Sequence, residues 1–243
     1  MADLYKRAAR GRRDALDALY QSKEKLCWFL CVHLLSDANA ASKVYVRIWE
    51  NVFAEVRRGG IFGQQQFDRL LLQETAQCCH AEVQRRAPEY LRCSVHSVRP
   101  QSADTLCLET IIARLPPVER FVFLLEIVGK MDAYDCGKGL HLKRHAYHTA
   151  LASATNYMGE QSLLSKEALV SQLSAAVEAA VIPQETETAI YRLIARFGRK
   201  TLWERYKHLL TTRTLLLVTV AVAGLSLFLS AALLTYWYIF TTK

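Results

Sequence analysis

Turn-forming residues are scarce in this chain of 243 residues, with 5 prolines and 10 glycines. That scarcity excludes a turn-dense β architecture and points to an all-α fold. No export signal is visible. Lys6, Arg7, Arg10, Arg12 and Arg13 lead into no long apolar run, and the apolar stretch at residues 26–35 is ten residues long and contains His33. It is too short to span a bilayer and too far from the start for a signal peptide, so the chain is expected to remain unsecreted. The cysteines number seven, an odd count, and lie in or near apolar segments, as reduced core residues do. Catalytic signatures are missing as well. There is no nucleophile elbow and no H-E-x-x-H, and the Gly59-Gly60-x-x-Gly63 stretch has neither the strand nor the lysine of a phosphate loop. The expectation is a protein without a cofactor that is not an enzyme. No repeat of 20–50 residues is present.

What the chain does have is apolar and basic. Hydrophobic residues make up 51%, charged residues 22%, and the net charge is +8, which suits a polyanionic partner such as nucleic acid or an acidic membrane. Residues 215–240 contain no ionisable group. As a helix they would be about 39 Å long, enough to cross a hydrocarbon core of ~30 Å. Tyr236, Trp237 and Tyr238 stand near the far end, as in an interfacial belt. Arg192, Arg196, Arg199, Lys200, Arg205, Lys207 and Arg213 precede the run, and only Lys243 follows it. The positive-inside rule then predicts a single-pass protein of the cytoplasmic membrane with residues 1–213 in the cytoplasm. The basic stretch before the span would lie at the inner leaflet and gain attraction to anionic lipid.

Helical spacing runs through the rest. Ala15, Leu16, Leu19 and Tyr20 open one apolar face, and Leu26, Phe29, Leu30, His33 and Leu34 continue after a charged break at residues 22–25. Ser36 and Asp37 supply capping side chains. Val44, Ile48, Val52 and Phe53 carry the next face, ending at Gly59-Gly60, and Phe67, Leu70, Leu71 and Cys78 carry another that ends near Pro88. Residues 87–102, with Pro88 and Pro100, have little periodicity and form the best linker candidate. A second unit opens at Ile111. Residues 118–128 are strongly apolar, residues 132–140 predict a short weak helix, and residues 143–157 a third, in helix-turn-helix proportions. Leu169, Leu173, Val177 and Val181 stand at i+4 steps within an expected helix at residues 163–182. Ile190, Leu193, Ile194 and Phe197 make a further stripe. Both stripes are expected to pack on the soluble core or on each other, with a regulatory partner surface as the alternative.

Two motifs resemble a known family. Leu115, Pro116, Glu119, Arg120, Val122, Phe123, Leu124 and Leu125, followed by the helix-turn-helix pattern, resemble region 4 of an extracytoplasmic-function sigma factor. Gly11, Ala15, Leu16, Leu19 and Tyr20, then Leu34, Leu35 and Asp37, resemble the opening of its region 2. The resemblance covers residues 10 to about 155. It implies two helical sigma-like lobes: a region 2-like domain at 1–95, a linker at 96–108 and a region 4-like domain at 109–158. An amphipathic connector with a basic juxtamembrane segment (159–213) and the transmembrane helix (214–240) follow.

The implied partners are RNA polymerase core and promoter DNA. Lys143, Arg144, His145 and His148 on the third helix are the candidate DNA contacts for the −35 element. Arg57, Arg58 and Arg69, near Phe53, Phe62 and Phe67, are the candidates for a melted strand, unless the phenylalanines are core and the arginines a solvated face. Ser42, Lys43, Val46 and Arg47 stand where the family has acidic and glutamine positions that hold the polymerase. Replacing acids there by Lys43 and Arg47 alters an interface built on charge complementarity. Gly137 and Gly139 lie in the first helix of the helix-turn-helix, and His141 takes the place of the usual turn glycine. A second reading follows from these departures: a degenerate sigma fold that serves as a membrane-anchored interaction module for an anti-sigma or envelope partner, without DNA readout. His141, His145 and His148 fall at i, i+4 and i+7. With no acid beside them they fit a solvent- or DNA-facing surface better than a metal site. Cys78, Cys79, His80, Cys93 and His96 have poor spacing for zinc.

Overall fold

The computed structural model describes the backbone of residues 2–93 and 108–198, and the side chains of 3–86 and 108–198. Among these residues every regular element is a helix. In chain order they are α1 (Ala2–Ala9), α2 (Arg13–Gln21), α3 (Glu24–Leu35), α4 (Ala38–Arg58) and α5 (Gln64–Cys93), then α6 (Leu108–Arg114) and α7 (Pro117–Phe123). A π-turn (Leu124–Val128) extends α7. The series ends with α8 (Ala133–Gly139), α9 (Arg144–Ser162), α10 (Lys166–Ala179) and α11 (Gln184–Phe197). The all-α class expected from composition is what is observed. Helix α5 carries through Pro88 to Cys93, although that proline gives up one backbone bond to the preceding turn. None of these helices is long and apolar enough to cross a membrane. The expected span at 214–240 lies outside the described residues, as do positions 94–102 of the linker expected at 87–102, whose first residues belong to α5, and positions 96–107 of the one expected at 96–108.

Local chemistry sets the breaks. Ser36, with φ of 52°, ends α3, and Asp37 caps α4 by accepting the Asn39 and Ala40 N–H groups at 2.9 and 3.4 Å. The other Asp37 oxygen accepts from Arg86 of α5. The Arg86 hydrogen bond, together with the two amides, holds this carboxyl below its usual range. Gly59, with φ of 83°, ends α4 in the left-handed conformation that glycine adopts without strain.

Helix α4 is central, packing against α3, α5 and α11. Its Trp49 is fully buried, with Tyr20 edge-on at 5.1 Å between ring centroids and Phe53 at 5.4 Å. The two expected lobes are not separate in this arrangement. The described residues up to Gly198 form one compact unit with a continuous core, in which α3 also touches α6, α7, the π-turn and α10, and α8 rests on α5. A buried cation fastens the two halves. Arg120 donates to the carbonyls of Ala113 (2.6 Å) and Leu115 (2.8 Å) at the end of α6, and to Ser36 Oγ (2.7 Å) at the α3–α4 corner.

The C-terminal stripes pack on this core. Leu169, Leu173 and Val177 of α10 and Ile190, Leu193 and Ile194 of α11 are buried. The expected helix at 163–182 needs correction at both ends. Leu163 is the left-handed cap of α9 and 90% exposed. Ser165 starts α10 by accepting the Ala168 N–H. Because α10 stops at Ala179, Val181 falls off the stripe and is 82% exposed. The cysteines described are free thiols: Cys27, Cys31, Cys79 and Cys136 are buried and Cys78 half-buried. Burial pushes Cys78 up to about 11 and Cys136 up to about 12, so neither is a ready thiolate.

Two glycines of the second half predict opposite outcomes. The N–H of Gly129 donates to the Leu124 carbonyl at 2.9 Å, which closes the π-turn. A Cβ on Gly129 would sit 2.6 Å from the Leu125 oxygen and 3.0 Å from Leu72 Cδ2, so Gly129→Ala is expected to destabilise the fold by about 1–3 kcal/mol. A Cβ on Gly137, inside α8, would meet only the Leu142 oxygen at an ordinary 3.5 Å. Gly137→Ala is therefore expected to stabilise by about 0.5–1 kcal/mol through helix propensity. Thermal unfolding of the two variants beside the parent checks both signs.

Candidate functional site

The candidate DNA surface is built on α8, a turn and α9. Asp132 caps α8 by accepting the Tyr134 N–H at 2.7 Å. The turn closes through the Leu142 N–H to the Gly137 carbonyl at 2.8 Å, with His141 at φ of 55°. The conformation is one that glycine adopts without strain, so the histidine holds a costly backbone position here. Helix α9 then turns Tyr147, Ala150, Ala154 and Met158 inward. Lys143, Arg144, His145 and His148 all face solvent. Beside them a shallow cavity of about 630 Å³ is lined by Tyr134, Lys138, Leu142, Arg144 and His148, among others. His141 belongs to the turn rather than to α9, so the three histidines do not share one helical face. Its ring instead neighbours that of His80 on α5, at 6.4 Å. Among the described residues no group of three His, Cys, Asp or Glu could hold a metal ion.

The other DNA candidates are engaged within the protein. Arg57 donates to the carbonyl of Phe197 at the end of α11. Arg58 pairs with Glu55 at 2.6 Å. Arg69 of α5 pairs with Asp135 of α8, and Gln73 donates to the same oxygen at 3.3 Å. Asp135 is buried, and its hydrogen bond raises the Arg69 guanidinium above its ordinary value. Of the three nearby phenylalanines, Phe53 and Phe67 are core and only Phe62 is exposed, at 64%. No spacing in the sequence announced Asp135 as a buried partner 66 positions from Arg69. Its place in the short helix beside Cys136 was the only available signal.

The four polymerase candidates lie on α4, and α11 lies along one edge of that helix. The Thr186 hydroxyl donates to Ser42 Oγ at 3.0 Å, Arg196 pairs with Glu50, and the Phe197 ring sits 6.0 Å from that of Phe53. Ser42 and Val46 are half-buried, while Lys43 and Arg47 face solvent. The stripe on α11 was visible in the sequence, but not the face it would cover.

No protein-family model matches the chain, and no curated protein matches it in sequence.

Proposed function

We propose that this chain is a membrane-tethered, sigma-factor-like transcription regulator, with α9 directed at promoter DNA and the solvent face of α4 directed at RNA polymerase core. One observation carries the DNA part: a helix, a tight turn and a second helix whose inward face is apolar and whose outward N-terminal face offers Lys143, Arg144, His145 and His148. Such a helix enters a major groove N-terminus first. The uncharged run at 215–240, preceded by basic residues, supports a single-pass tether that keeps the helical unit at the inner leaflet.

Lys143 and Arg144 as phosphate contacts predict a salt slope of about −2 in log affinity against log salt. Full chain in detergent, titrated with promoter duplex between about 50 and 200 mM salt, should show that slope. The Lys143→Gln, Arg144→Gln double variant should lose it together with about tenfold in affinity. No binding by the parent at the low-salt end removes the DNA reading.

A second reading has its own support. Arg69 is tied to buried Asp135, α11 covers one edge of α4, and Lys43 and Arg47 reverse the charge expected there. These features favour a sigma-like fold turned to protein binding, with an anti-sigma or envelope component as partner. Affinity capture with the full chain separates the readings. Core polymerase bound tightly by the parent supports the first. Binding gained only by a Lys43→Asp, Arg47→Glu variant supports the second.

A further inference from the structure

Four chain segments converge at one point of the unit. A Cβ on Gly11, in the α1–α2 turn, would lie 2.4 Å from Arg57 Nη1 and 3.2 Å from the Phe197 carbonyl oxygen. A Cβ on Gly198 would lie 2.2 Å from Arg13 Cγ. The end of α1, the start of α2, the end of α4 and the end of α11 therefore meet there. These segments are rich in arginine: Arg10, Arg12 and Arg13 around the turn, Arg57 and Arg58 closing α4, and Arg196 closing α11. The carboxylates are fewer. Asp14 is shared by Arg7 and Arg12, Glu55 takes Arg58 and Glu50 takes Arg196. Among the described residues no ion pair engages Arg10 or Arg13, and both are exposed.

Folding explains only part of this. Arg57, at the carboxyl end of α4, satisfies a carbonyl at the carboxyl end of α11, where a cation is favourable. Arg12 and Arg13 stand at the opposite kind of terminus. Arg12 occupies the N-cap position of α2 without a capping bond, and Arg13 is its first residue, where the helix dipole disfavours positive charge. The first turn of α2 holds one acid, Asp14, which pairs with Arg7 and Arg12 and leaves Arg13 without an ion-pair partner among the described residues. Four residues beyond Arg58, exposed Phe62 stands in the glycine-flanked loop that follows α4. Exposed cations together with an exposed aromatic are the equipment of a surface that sits at lipid headgroups. Gly198 is the last residue of the unit, and the sequence then adds Arg199, Lys200, Arg205, Lys207 and Arg213 before the uncharged run.

We propose that the cationic rim formed by the α1–α2 turn, the end of α4 and the end of α11 docks on an anionic lipid surface, an assignment that rests on the tethered reading for its orientation.

The test uses the full chain in lipid nanodiscs of neutral lipid or of neutral lipid with about 30% anionic lipid, read by amide hydrogen exchange. Amides of residues 8–14 and 56–63 are expected to exchange about fivefold more slowly on the anionic discs than on the neutral ones. An Arg10→Gln, Arg12→Gln, Arg58→Gln variant should lose that protection and keep the parent's slow exchange at residues 44–53, which shows that it is folded. Chain that fails to enter the discs sinks the tether but not the rim, because the same amides are then read with the chain added from solution. Equal protection on neutral and anionic discs, or none on either, overturns the assignment. So does protection of these amides by single-stranded DNA without protection by anionic lipid.

Discussion

Replacing Arg120 by methionine is expected to destabilise the folded unit by about 3 kcal/mol, because a charged donor leaves and its acceptors stay behind. The guanidinium reaches the Ala113 and Leu115 carbonyls and the Ser36 hydroxyl, and the side chain is buried. Methionine keeps the apolar stem but offers no hydrogen to any of them. Lysine restores a charge without the planar fork, so Arg120→Lys should recover only part of the loss. At this chain length a loss of about 3 kcal/mol lowers the unfolding midpoint by roughly 6–12 °C. Thermal unfolding followed by helix content measures it. A midpoint within about a degree of the parent would mean that Arg120 does not hold the α3–α4 corner to α6.

The second large effect lies in the other half. Trp49→Ala empties the centre of an aromatic cluster in which Tyr20, Tyr45, Phe53 and Phe67 surround the indole at centroid distances of 5.1–6.5 Å. Loss of a fully buried ring of this size is expected to destabilise by about 3–5 kcal/mol. Trp49→Phe keeps most of the contacts and should lose about 1–2 kcal/mol. A denaturant midpoint that ranks the two substitutions in the reverse order would contradict the cluster.

The two substitutions also mark what one dimension of sequence can convey. The stripe of α4 and the Ser36-Asp37 break are local patterns, so the helix and its start were legible before any coordinates. The placement of α1 was not. Its buried face consists of Tyr5 and Ala8, too little apolar surface to stand out among Lys6, Arg7 and Arg10. Arg120 was legible as a motif residue, but its acceptors include a serine 84 positions away, and no periodicity carries that information. Arg69 is solvent-exposed, as a solvated face requires, but its ion pair was not legible for the same reason: the partner is on another helix. In the candidate site, the outward residues of α9 could be picked out from helical spacing because Tyr147 and Ala150 fix the inward face. The covering of α4 by α11 could not, since an amphipathic stripe states that a face is buried without stating against what.

Helix α11 runs alongside α4 in the same direction, Thr186 meeting Ser42 and Phe197 meeting Phe53. The covering strip is thus made 144 positions after the residue it touches. At a ribosome speed of about 5–20 residues per second, that flank of α4 stays bare for on the order of ten seconds while the nascent chain emerges. Until α11 arrives, the edge of α4 that carries Phe53 is without its cover.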